Sequence, residues 1–162
     1  MKENFEKAVE FILHWETGFG KTIYTKNIND PGGETKWGIC KKYYPKLDIR
    51  NLTKEQAIQI YKSKYWDMMD CDSLPNHIDV VIFDIAVNPG ISVAKKSLAR
   101  LKDFAKLLVP DTKLASLFLI IEALDYYDDI TNFNRFGRGW TKRKISLAKY
   151  IISDYTFLVY DD

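Results

Sequence analysis

Residues 76–88, "NHIDVVIFDIAVN", limit what this chain can fold into more than any other stretch. The segment is apolar on most sides rather than on one, so as a helix it cannot lie on a surface and needs neighbours around most of its circumference. That predicts a bundle with this helix at its centre, ended by Asn88, Pro89 and Gly90. The remaining chain supplies suitable partners. Residues 5–16 place Phe5, Ala8, Val9, Ile12, Leu13 and Glu16 on one helical face, with Gly18 as the C-cap. Thr53 and Gln56 form a capping-box pattern ahead of Ala57, Ile60, Tyr61 and Lys64. Further helices are expected from Ser92, after Pro110 and Asp111, and from about Thr141 through Ile145, Ala148, Ile151 and Ile152.

Only one region is strand-like. Residues 19–39 hold four of the eight glycines and the β-prone pieces "TIYT" and "TKWGI", which predict a small hairpin or irregular sheet after the first helix. The expected fold is therefore mainly α, a helical bundle with a small β insertion, in one domain over residues 1–162. A length of 162 residues at 46% hydrophobic content is enough for a core of its own.

Bulk properties exclude several function classes. The longest apolar runs, "VVIF" and "LFLII", fall short of the roughly 20 residues a membrane span needs, and the N-terminus lacks a signal-peptide layout. No membrane insertion is expected, and the chain is expected to start life in a cytoplasm. Cys40 and Cys71 are read as free thiols, since two cysteines make neither a disulfide scaffold nor a zinc site. No metal or cofactor is implied. With 24 basic and 22 acidic side chains the overall field is too weak to predict a nucleic-acid partner. The segment "FNRFGRGWTKRK" does gather Arg135, Arg138, Lys142, Arg143 and Lys144; it reads as a solvated basic face with Trp140 anchoring a helix, or as a patch for acidic polymers or phosphates.

Two carboxylates near the first helix could carry chemistry. Glu16 sits in the last turn of an apolar face, where lost hydration and the helix dipole both favour a carboxyl that keeps its proton, as a general acid requires. An ion-paired glutamate would leave the same pattern. In "NDPGGET" the turn leaves Asp30 at its entrance, where a second carboxylate could activate water with help from the Thr35 hydroxyl. An Asx-turn accounts for Asp30 equally, and Glu34 competes for the same role. Among the aromatics Trp37, Tyr43, Tyr44, Tyr65 and Trp66, Trp37 is the candidate for stacking on a sugar because it adjoins this turn. Asp84 and Asn88, one turn apart on the most buried helix, either brace the cleft or bind a sugar amide. His14 is read as helix packing and His77 as surface.

These motifs occur in an order that resembles glycoside hydrolase family 108, the peptidoglycan-cleaving muramidases common among phage endolysins. The likeness runs through Glu16, "DPGGETKWGI", "LTKEQAIQIYKSKYWD" and "VIFDIAVNPG", covering most of residues 10–92. It implies a lysozyme-like α+β fold that cleaves the β-1,4 bond between N-acetylmuramic acid and N-acetylglucosamine. Glu16 would be the acid and Asp30 and Thr35 the water-handling pair, with substrate contacts from Trp37, Asp84 and Asn88. It further implies a catalytic half over 1–90 and a helical half over 91–162 resembling a peptidoglycan-binding region, although "LLVPDTKLASLF" lacks the glycines usual there. The expected partner is the glycan strand, met by a monomer released from the host cytoplasm to the wall. The family usually reads His-Glu-Gly-Gly-Tyr; here Trp15 separates His14 from Glu16 and Thr17 replaces the first glycine. The residues leave open a lytic transglycosylase using Glu16 alone, a wall-binding module without turnover, and retention against inversion, which follows a carboxyl separation of about 5 Å against about 6.5–9.5 Å.

Overall fold

The computed structural model describes residues 2–26, 33–105, 111–128 and 133–155. The helix α1 (Lys2–Glu16) leads into a three-stranded antiparallel sheet, β1 (Tyr24–Lys26), β2 (Glu34–Lys36) and β3 (Ile39–Cys40), in the order β1-β2-β3. The helices α2 (Lys54–Tyr61), α3 (Ile78–Val87), α4 (Ile91–Ala105), α5 (Thr112–Asp128) and α6 (Phe133–Ile152) follow. The mainly α architecture with a small β insertion is as expected. No helix among the described residues is long and apolar enough to cross a membrane.

The central helix is the one its composition predicts. Every residue from Ile78 to Ala86 is buried, and α3 packs against α1, α4 and α5, while α5 packs against α6. Full burial of a side chain such as Ile82, Phe83 or Ile85 contributes roughly 1.5–3 kcal/mol. The "YKSKYWD" stretch prolongs α2 as a π-helical turn, Lys62–Trp66, and a short 3-10 turn, Asp67–Met69. This swings Trp66 fully into the core, edge-on to Phe5 at 5.3 Å and Phe83 at 5.4 Å, with its Nε1 donating to Asp72. Thr53 and Gln56 make the capping box read from the sequence.

Three expectations need correction. The last helix begins at Phe133, not near Thr141, because α6 runs through Gly137 and Gly139 without breaking. His77 is not on the surface: it is 6% exposed, its Nδ1 lies 3.0 Å from Thr112 Oγ1, and its backbone N–H donates to Tyr155 Oη. Arg143 and Lys144 do not belong to a solvated basic face, since both are buried. They lie four and three positions before Leu147, on the apolar stripe of α6, and are tolerated there only because carboxylates meet them. No disulfide joins Cys40 and Cys71.

Candidate active site

The end of α1 is built by a Schellman motif. Gly18 takes φ +55°, its N–H donates to Trp15 O at 3.2 Å, and the Phe19 N–H donates to His14 O at 2.8 Å. The Phe19 ring meets the His14 ring edge-on at 4.3 Å, the apolar contact that accompanies such caps. Thr17 adds its own cap: Oγ1 donates to Leu13 O and accepts from Gly20 N. The helix therefore ends firmly at Glu16, leaving that side chain half-buried at the edge of an open cleft.

The cleft has a volume of about 440 Å³ and is lined by Trp15, Glu16, Val87, Asn88, Gly139, Trp140 and Arg143. This is within the range of roughly 300–1,000 Å³ typical of small-molecule sites. Glu16 is the only carboxylate among those lining residues. Its Oε1 accepts a 2.7 Å hydrogen bond from Arg143 Nη1. Arg143 Nε in turn donates to Asp84 Oδ1 at 2.8 Å, and Lys144 Nζ donates to Asp84 Oδ2. Burial acts to raise the Asp84 carboxyl, but the two cations overcome it and hold the group below the usual carboxylate range. Burial lowers the Lys144 ammonium, and Asp84 offsets this only in part, with the neighbouring Arg143 charge acting against it. The four side chains form one hydrogen-bonded network across α1, α3 and α6.

The β2–β3 hairpin closes the other side of Glu16. Its two-residue turn, Trp37 (φ +54°) and Gly38 (φ +78°), has the positive φ at both positions that a type I′ turn requires. A Cβ at Gly38 would lie 2.3 Å from Tyr61 Oη and 2.9 Å from Glu16 Cβ and Cγ, so only glycine fits. The bulky Trp37 is strained in this region, and its carbonyl is held by a 3.0 Å bond from Tyr61 Oη. Burial, then the charge of Glu16, push the Tyr61 phenol well up, so it stays neutral and keeps donating.

The other expected site residues are scattered. Asp30 lies outside the described residues. Thr35 sits mid-strand in β2, paired with Thr25 and Cys40, two residues before the turn that packs on Glu16. Glu34 is engaged across the sheet with Lys26 at 3.1 Å and Tyr24 at 3.3 Å. Trp37 lines a separate hollow of about 270 Å³ with Glu10, Leu13, His14 and Thr17, while Trp15 and Trp140 line the main cleft. Asn88 reaches the cleft; Asp84 is 1% exposed, with both oxygens bonded to Arg143 and Lys144. Among the described residues no group of three His, Cys, Asp or Glu side chains converges as a metal site.

Residues 9–90 match the family described as Glycosyl hydrolase 108. The chain belongs to that family. As a glycosyl hydrolase it needs a proton donor at a scissile glycosidic bond, and Glu16 falls inside the matched segment at the cleft edge. Over nearly the whole chain the fold is also that of the solved structure of Brucella abortus SagA, with a TM-score of 0.76 at 24% identity, covering 96% of this chain and 97% of that one. No curated protein matches the chain. The family match ends at residue 90, so Arg143 and Trp140 of α6, which complete the cleft, lie outside it. Sequence reasoning missed Arg143 as a partner of Glu16, although a cation on the apolar stripe of α6 was a usable signal.

Proposed function

We propose that this family member hydrolyses the β-1,4 bond between N-acetylmuramic acid and N-acetylglucosamine in peptidoglycan, with Glu16 as general acid. The observation that carries the reading is the half-buried Glu16 carboxyl at the edge of an open cleft flanked by Trp15 and Trp140, whose rings suit the apolar faces of sugars. Glu16 gives its proton to the glycosidic oxygen as the C1–O bond breaks, and water completes the reaction at C1. Asp30 and Thr35 are proposed for the water side, and Asn88 for a sugar amide. The endolysin role, with a monomer released to the wall from a host cytoplasm, belongs to the same proposal.

One observation favours a second reading. Among the described residues Glu16 is the single carboxylate lining the cleft, which also suits a lytic transglycosylase, where the sugar's own hydroxyl replaces water. Mass spectrometry of the fragments released from purified peptidoglycan separates the two. Reducing N-acetylmuramic ends are expected; anhydro-muramic ends select the transglycosylase, and reducing N-acetylglucosamine ends or no release at all refute both.

A further inference from the structure

The Glu16 carboxyl stands at the end of a flexible side chain on the last residue of α1, so the helix fixes its backbone but not its aim. What holds the carboxyl comes from α6. Arg143 Nη1 grips Oε1 at 2.7 Å, and the guanidinium is only 5% exposed. Its plane is set in turn by Asp84 on α3, which takes Nε at 2.8 Å and is itself anchored by Lys144. A guanidinium is rigid and planar, so fixing Nε fixes the direction in which Nη1 points. The close approach of Gly38 walls off the Glu16 methylenes from the opposite side.

We propose that Arg143 is a positioning residue for Glu16, aimed by Asp84, so that α6, which lies beyond the family-matched segment, is part of the catalytic unit. The inference rests on the glycosidase reading. When Glu16 passes its proton to the glycosidic oxygen, the electron pair of the broken C1–O bond stays on the leaving oxygen and Glu16 becomes an anion. That charge forms beside a cation already in place, which is how a preorganised site lowers a barrier. With Oε1 held, the proton is delivered from Oε2.

The test is steady-state kinetics of Arg143→Gln and Arg143→Lys on soluble glycan fragments of peptidoglycan, with folding checked by circular dichroism. A misplacement of about 1 Å costs on the order of 100-fold. Arg143→Gln is therefore expected to lower kcat by about 10–100-fold with KM within about threefold. Arg143→Lys keeps the charge but not the planar fork, and should fall between the two. A folded Arg143→Lys with wild-type kcat, or a loss confined to KM, overturns the inference. If neither variant folds, guanidinium proton signals decide in the intact chain. The slowly exchanging Arg143 signals should shift or broaden in Glu16→Gln, and unchanged signals overturn the contact. An active wild type with indifferent Arg143 variants fails this inference alone, whereas a folded wild type that cleaves nothing fails the glycosidase reading.

Discussion

Replacing Asp84 by Asn removes one negative charge from a place where two cations depend on it. The side chains of Asp84, Arg143 and Lys144 are 1%, 5% and 0% exposed, so solvent cannot take over the lost role. Arg143 retains Glu16 as a partner, but Lys144 is left with a neutral amide. Breaking a buried pair from one side typically costs about 3–5 kcal/mol, because the remaining charge stays desolvated. Lys144 has an outlet, since burial already lowers its ammonium and it can release its proton, so the lower half of that range is expected. At roughly 2–4 °C per kcal/mol for a chain of this size, Tm should fall by about 6–16 °C. Urea and thermal unfolding of wild type, Asp84→Asn and the double variant Asp84→Asn/Lys144→Met measure it. The double variant removes the stranded cation and should be more stable than the single one. A single-variant loss below about 1 kcal/mol, less than the penalty for any unpaired buried charge, or a double variant less stable than the single one, would refute the reasoning.

Two further outcomes follow from the same geometry. Gly38→Ala puts a Cβ against Tyr61 Oη and Glu16 at a φ of +78°, so overpacking and backbone strain together should cost about 2–4 kcal/mol, with reduced turnover in whatever remains folded; unchanged unfolding curves would contradict this. Because Asp84 is held below its ordinary value of 3.8 in the folded state, its contribution is fully present well above that pH. It should be lost as pH falls below 3.8, making the decline of unfolding free energy in acid shallower in Asp84→Asn than in wild type.

Much of the fold was legible because it follows from local rules. The all-round apolar character of residues 78–86 required a central helix, and Thr53 with Gln56 announced a capping box that forms as written. The start of α6 was not legible, because Gly137 and Gly139 lower helix propensity and tertiary packing overrode them. His77 was misplaced because a single histidine carries no periodic signal, and its burial depends on Thr112 and Tyr155, which are distant in sequence. At the site, Glu16 was legible from its place in the last turn of an apolar face. Its partner was not, since "TKRK" reads as solvated charge unless the stripe through Leu147 and Ile151 is extended back to Arg143 and Lys144. Asp84 in the second half of the apolar α3 was the complementary clue: a carboxylate buried there needs partners, and two cations on an apolar stripe demand a carboxylate. Trp37 was singled out for its proximity to the turn, and its positive φ with Gly38 follows from hairpin geometry that the propensity of "TKWGI" does not reveal.

The central claim is that Glu16 is the proton donor, and reducing-end release from purified peptidoglycan by wild type and Glu16→Gln tests it most directly. Loss of a general acid lowers rates by about 10²–10⁴. The account predicts release by the wild type and a loss of about 100-fold or more in a Glu16→Gln variant whose circular dichroism is unchanged. A Glu16→Gln variant as active as the wild type would contradict it and leave Glu16 as an ion-pair partner of Arg143 with a structural role only.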